Sequence, residues 1–326
     1  MAVFGMNFLP LYVIFIAVKK QGWVFVMLDL LAIGEVMAEI RSARDISTQF
    51  AVNFAGDSFN TAIYAARLSD RPNSVGYMTR IGTEPLSDGL LAMAKSEDLN
   101  CDAIARDNHK NIGIYSVTTD AHGERSFHYW RSDSAARTLF MIEETALFMP
   151  KAKIIYLSGI SLAILAPAAR ERLFSSLEDQ RQKHGSLIAF DSNYRPALWE
   201  NKETAQKIMG HMWQMADIAL PSIDDEMALF GETSEQDVID RFAARKWHAI
   251  AIKRGVRGPH STQIDPAEVP VFNPAPSVID TTAAGDSFNG GYLAAFISGA
   301  HEAECLLAGH NLASQVVGAP GAIMPK

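Results

Sequence analysis

From residue 28 onward the chain alternates between short apolar runs and longer stretches of helical period. Residues 30–33 (Leu-Leu-Ala-Ile) form an apolar run that stops at Gly34, as a strand buried on both faces would. Residues 60–68 switch to helical spacing, with Ala62, Ile63, Ala66 and Leu68 available for burial. Apolar runs at 154–157 and 187–190 flank a helical stretch over 168–182, and runs at 218–220 and 249–252 continue the series. Strands alternating with helices in this way predict a doubly wound α/β fold, a mostly parallel sheet covered on both faces, with ligands at the carboxyl ends of the strands. Two regions break the alternation. Residues 36–56 and 111–131 are rich in Thr, Tyr and Phe at period two, which predicts a small antiparallel sheet, and Asp120-Ala121-His122-Gly123 suits a hairpin turn. The Pro-rich stretch 266–276 reads as a surface loop.

The first 26 residues follow a different pattern. Residues 2–18 are almost wholly apolar, broken by Asn7 and Pro10, and Lys19-Lys20 come after the run rather than before it. A signal peptide has the opposite polarity, and the run is short for a membrane span. We expect Met27 to be the natural start, residues 1–26 to be an extension or a translation artefact, and 27–326 to be the functional domain, with a membrane anchor as the alternative. Length and charge narrow the partners. A chain of 326 residues can bury a large core, and a net charge of −8 argues against nucleic acid as the main partner. Two cysteines, Cys101 and Cys305, provide no disulfide framework and fit a reducing compartment, so a cytoplasmic location is expected. Histidine and cysteine spacing shows no zinc pattern, and neither a Gly-x-Ser-x-Gly elbow nor a Walker A loop occurs.

The chemistry concentrates at 280–291, Asp-Thr-Thr-Ala-Ala-Gly-Asp-Ser-Phe-Asn-Gly-Gly. Small residues between an apolar run and a helical pattern (Phe288, Tyr292, Leu293, Phe296, Ile297) let backbone N–H groups converge at a helix N-terminus, where an anion is favoured. Asp286 falls in the first turn, so it would act either as a base beside that anion site or as a helix cap. Gly56, Asp57 and Asn60 open another helix and suit either sugar hydroxyls or a cap. Arg195, Ser222 and Lys253 each follow a predicted strand and could face one crevice. Arg131 and Arg195 suit a ligand carboxylate, which a guanidinium holds through two parallel hydrogen bonds; the alternative is surface ion pairing.

Asp-Thr-Thr-Ala-Ala-Gly-Asp-Ser-Phe resembles the C-terminal signature of the ribokinase-like (PfkB) sugar kinases. The N-terminal signature is matched by Phe54-Ala55-Gly56-Asp57-Ser58-Phe59-Asn60, with Ala55 where the family usually has glycine. Gly34-Glu35-Val36-Met37, Tyr129-Trp130-Arg131, residues 157–165 and Asp191-Ser192-Asn193-Tyr194-Arg195-Pro196 bring the chain closest to the branch acting on 2-keto-3-deoxygluconate. The resemblance runs in order from about residue 28 to 324. It implies an ATP-dependent kinase using Mg2+, with Asp286 as the general base and the backbone of Ala283, Ala284 and Gly285 as the anion hole. It gives Arg131 and Arg195 the substrate carboxylate, and Gly56, Asp57, Asn60, Tyr115 and Tyr129 the sugar chain. It places Asn193, Ser222, Lys253, Arg254, Gly255, Gly258, Thr282 and Asn311 around the nucleotide, with no direct protein ligand to the metal required. The family's Asn-x-x-Glu reads here Ser222-Ile223-Asp224-Asp225, followed by Glu226, which leaves the metal-linked carboxylate open between Asp225 and Glu226. The small sheet is expected to act as a lid and dimer contact, so a homo-oligomer is expected. The rival readings are a kinase of a neutral sugar such as fructose and a catalytically silent ligand sensor on the same fold.

Overall fold

The computed structural model describes residues 27–42, 50–119, 125–141 and 149–326. The apolar extension, the turn expected at 120–123 and positions 43–49 lie outside the described residues. In chain order the strands are β1 (Leu28–Ile33), β2 (Met37–Ser42), β3 (Phe50–Ala55), β4 (Val75–Ile81), β5 (Ile104–Arg106), β6 (Gly113–Thr119), β7 (Arg125–Trp130), β8 (Ala152–Ser158), β9 (Leu187–Asp191), β10 (Ile218–Ala219) and β11 (Ala249–Ile250). The helices are α1 (Asp57–Arg67), α2 (Pro85–Ser96), α3 (Gly159–Ala163), α4 (Pro167–His184), α5 (Lys202–Met215), α6 (Ile223–Phe230), α7 (Glu235–Ala243), α8 (Ala284–Ile297) and α9 (Glu302–Val316).

Seven strands form the main sheet in the order β11-β10-β9-β8-β1-β4-β5, paired parallel throughout. Their apolar runs are continuous because both faces are covered. In β1, Leu31 and Ile33 enter one core and Leu30 and Ala32 the other. β8 repeats this with Ile155 and Leu157 against Ile154 and Tyr156. α4, α5 and α7 fill the first side through Leu173, Met212 and Phe242, while α1, α8 and α9 fill the second through Ile63, Leu293 and Leu306. Leu68, expected inside, instead follows α1 as its C-cap and is half exposed. The chain builds outward from β1 in both directions, so β1 marks the reversal of strand order where a crevice opens at the carboxyl ends.

The small sheet has the order β3-β2-β6-β7 and is mixed rather than antiparallel. β2 with β3 and β6 with β7 are antiparallel pairs, but β2 and β6 run parallel. The reason lies in the large sheet: β2 follows β1 and β6 follows β5, and because β1 and β5 run parallel the chain leaves in the same direction both times. The face turned to the main domain packs Met37, Ala55, Tyr115 and Val117 on Ala322. Among the described residues no helix is long and apolar enough to cross a membrane. Burial pushes the free thiols up, Cys101 to about 11 and Cys305 to about 12, as suits structural rather than nucleophilic cysteines.

Gly290 and Gly291 let α8 lie against α1 and α9. A Cβ at 290 would stand 2.7 Å from the Tyr64 Cβ and 3.0 Å from the Thr61 carbonyl, and one at 291 would stand 2.9 Å from the Ala308 carbonyl. Gly290→Ala is therefore expected to cost about 1–3 kcal/mol by overpacking, read from denaturant midpoints at constant slope. A midpoint equal to that of the wild type would show that the two helices separate freely.

Candidate active site

The carboxyl ends of the main strands and the inner face of the small sheet enclose a cleft of about 730 Å3. The start of α8 forms one wall. Ala283 is its N-cap, held at φ 61 in the left-handed region, and Asp286 sits in the first turn without capping the helix. The capping alternative for Asp286 therefore fails. Its Oδ2 accepts from Asn60 Nδ2 at 2.8 Å, and its carbonyl accepts from Thr61 Oγ1 at 3.1 Å. Desolvation first, then the nearby Asp57 charge, pushes the Asp286 carboxyl up to about 7. The Ala284 N–H is drawn onto the Thr281 carbonyl at 3.2 Å. The N–H groups of Ala283 and Gly285 have no partner among the described residues. A Cβ on Gly285 would lie 3.6 Å from Lys253 Nζ.

Lys253 belongs to a network that the sequence reading missed. Its Nζ lies 2.7 Å from Asp191 Oδ2 and 3.2 Å from Asn289 Oδ1. Asn289 Nδ2 donates to Asp191 Oδ2 at 2.6 Å and to the Tyr156 hydroxyl at 3.1 Å. Thr61 Oγ1 approaches the same hydroxyl at 3.4 Å, closing a circuit back to Asp286. Satisfied buried networks of this kind fix side chains rigidly. The available signals were weak: Asp191 closes an apolar strand run, and Asn289 is a polar residue inside a wholly buried helical stretch.

Near Asp286, Asp57 takes Asn193 Nδ2 at 2.7 Å and the Ser158 hydroxyl. Asn193, expected near the nucleotide, thus lines the cleft with its amide engaged on Asp57. Neither Asp57 nor Ser58 caps α1; Gly56 is the N-cap, with no side-chain bond. Gly56 lines the cleft, and it is needed there because a Cβ would stand 2.2 Å from the Glu35 carbonyl. Tyr115 and Tyr129 line the cleft with their rings 5.8 Å apart, and Phe127 extends the stack at 6.3 Å from Tyr129. The Tyr115 hydroxyl donates to Glu39. Arg131 is buried and pairs with Glu35, which also accepts from Ser134. Arg131 Nε has no partner among the described residues.

Arg195 is half exposed at the rim, with Nη1 3.3 Å from Asp225 Oδ1. Burial raises the Asp225 carboxyl, and Arg195 opposes that shift. Of the two candidate carboxylates at the start of α6, Asp225 faces the cleft with Ser222. Glu226 is fully buried on Arg241 at 2.8 Å, its carboxyl pushed up to about 7 by burial. Thr282 also lines the cleft. Four expected nucleotide residues do not. Arg254 is held by Glu235 at 3.2 Å and by the Gly258 carbonyl at 3.1 Å; Gly255 follows it in an exposed turn at φ 58. Gly258 (φ 77) packs where a Cβ would meet Phe272 at 2.7 Å, and Asn311 is exposed on α9. Among the described residues no cluster of three or more His, Cys, Asp or Glu could hold a metal.

The model of the "pfkB family carbohydrate kinase" matches residues 27–326. The 2-dehydro-3-deoxygluconokinase of Escherichia coli (strain K12) is 38% identical over 305 residues, covering 90% of this chain and 96% of that protein. Two solved structures share the fold. The 2-dehydro-3-deoxygluconokinase of Thermotoga maritima superposes with a TM-score of 0.73 at 19% identity, over 91% of this chain and 96% of that one. Fructokinase from Vibrio cholerae O395, with fructose, ADP and calcium bound, reaches 0.75 at 21% identity, over 91% and 94%. With a family model spanning its whole described length and a curated relative matched nearly end to end, the chain belongs to the PfkB family of carbohydrate kinases.

Proposed function

We infer that the chain is an ATP-dependent kinase that phosphorylates 2-keto-3-deoxygluconate, also called 2-dehydro-3-deoxygluconate, on its terminal hydroxyl to give the 6-phosphate. The observation that carries this reading is the Asp286 carboxyl, raised to about 7 beside two unpartnered N–H donors and Lys253, in a cleft that also holds two arginines. A carboxylate of that basicity is matched to a hydroxyl proton near neutral pH. In the reaction the substrate oxygen attacks the γ-phosphorus, its proton passes to Asp286, and the bond to the β–γ bridging oxygen breaks to release ADP. The N–H groups of Ala283 and Gly285, with Lys253, stabilise charge on the transferred group. Asp57 and Asn60 orient sugar hydroxyls. The orphaned Nε of buried Arg131 supports an anionic ligand, because a carboxylate would satisfy it. Arg195 lines the same cleft.

Bound Mg2+ would neutralise charge on the triphosphate. Asp225, which lines the cleft, is the carboxylate that would support it through water. We take 27–326 as the kinase domain and the cytoplasm as its site of action. The outer face of the small sheet, with Phe50, Val52 and Trp130 exposed, supports pairing of two copies there, which sedimentation of the purified chain will read.

An ATP-consumption assay with sugar acids and neutral sugars tests the reading. 2-Keto-3-deoxygluconate is expected to exceed fructose in kcat/KM by about 100-fold or more, as for a site whose buried polar groups go unpaired with the wrong ligand. Arg195→Ala is expected to raise KM for the acid and leave that for fructose nearly unchanged. Equal turnover of fructose would identify a neutral-sugar kinase, and no ATP consumption with any sugar would identify a silent sensor.

A further inference from the structure

Arg41 stands on β2, outside the set of residues that the reaction accounts for. Its Nε donates to Glu39, and the second oxygen of Glu39 accepts the Tyr115 hydroxyl from β6. At the other end its Nη2 lies 3.7 Å from Asp280 Oδ2. Asp280 is fully buried and organises the turn before α8: Oδ1 accepts the Thr282 N–H at 2.8 Å and Oδ2 the Gly321 N–H at 2.7 Å. Gly321 has φ 98, and a Cβ there would come within 3.3 Å of the Arg41 guanidinium. The backbone is thus kept bare where Arg41 passes. A second contact joins the same two parts, since Ala283 packs against the cluster of Met37, Ala55, Tyr115 and Val117 on the small sheet.

We propose that Arg41 is a positioning residue: it ties the sheet that carries Tyr115 to the turn that carries the anion hole, so that sugar binding and phosphoryl-group binding are set together. The proposal rests on the sugar-acid kinase reading given above. Glu39 is nearly inaccessible, so without Arg41 its carboxylate would keep the Tyr115 hydroxyl and lose its paired cation. Asp280 would lose the Arg41 guanidinium while the Thr282 and Gly321 N–H groups still hold its oxygens, so the turn would form without this tie to the small sheet. The effect passes from the substrate contact at Tyr115 through Glu39, Arg41 and Asp280 to Thr282 and Ala283.

Two variants of the full chain, Arg41→Ala and Arg41→Lys, test this with the wild type as reference. In Arg41→Ala, kcat with 2-keto-3-deoxygluconate is expected to fall about 10- to 100-fold, the scale of a misplacement of about 1 Å. Binding of a non-hydrolysable ATP analogue, measured with and without the sugar acid, is expected to show synergy of about 5-fold or more in the wild type, the lower end of typical couplings. That synergy is expected to vanish in Arg41→Ala and to return in Arg41→Lys, whose ammonium can still approach Asp280. A purely structural role would lower the melting temperature and leave the synergy intact. Unaltered synergy in Arg41→Ala, or none in an active wild type, overturns the proposal alone. A wild type inert towards the sugar acid overturns the functional reading and the relay with it.

Discussion

Asp286→Asn is expected to lower kcat by about 10²–10⁴-fold while leaving ATP affinity nearly unchanged, because the amide cannot take the hydroxyl proton but fits the same space. The hydrogen bond from Asn60 Nδ2 at 2.8 Å can be kept by the amide oxygen, so the local geometry should survive. The pH profile gives an independent reading. With the free-enzyme carboxyl raised to about 7, wild-type kcat/KM should rise as pH approaches 7 and level off above it. Stability carries the opposite slope. A folded-state pKa above the unfolded value means that the unfolded chain gives up its proton first, so this group's contribution is fully present below about pH 4 and is lost by about pH 7. The melting temperature of Asp286→Asn, measured relative to wild type, should therefore climb between those limits and then flatten. Near wild-type kcat in the variant would remove Asp286 from the chemistry.

How much was legible in the sequence follows from how local each feature is. The parallel sheet was readable because β1, β8 and β9 each carry an unbroken apolar run, 30–33, 154–157 and 187–190, which suits a sheet covered on both faces. The start of α8 was readable because the turn, its small residues and Asp286 lie within seven consecutive residues, 280–286. Period-two spacing in the small sheet gave the strands but not the sign of their pairing. Alternation is identical in parallel and antiparallel ladders, and the β2–β6 direction is set by β1 and β5 elsewhere. The Asp191–Lys253–Asn289 network joins three separate elements, so no window of sequence contains it. Glu35 sat inside a stretch already singled out by resemblance, yet its pairing with Arg131 across 96 positions had no local mark. Conversely, Arg254, Gly255 and Gly258 were placed around the nucleotide by resemblance, and none of them lines the cleft. The chain turns tightly there and directs Arg254 onto Glu235.

The Glu35–Arg131 pair gives the second large expected effect, on binding and stability together. Glu35 is 1% exposed, and Arg131→Ala would leave its carboxylate uncompensated, a loss of about 3–5 kcal/mol in unfolding free energy. The same change removes a buried donor group from the cleft, and KM for the sugar acid should rise by about 30-fold or more, the lower end for truncating one partner of a desolvated charge pair. The two effects separate in the double variant Arg131→Met/Glu35→Gln. Removing both charges while keeping similar volume should recover most of the stability, since replacing a buried pair by neutral groups is often nearly free. KM for the acid should stay high, because nothing there can hold a carboxylate. Urea unfolding and steady-state kinetics on the same preparations read both quantities. If the double variant regained both its stability and a wild-type KM, Arg131 would serve only to hold the small sheet on its domain, and Arg195 alone would carry the preference for an acid.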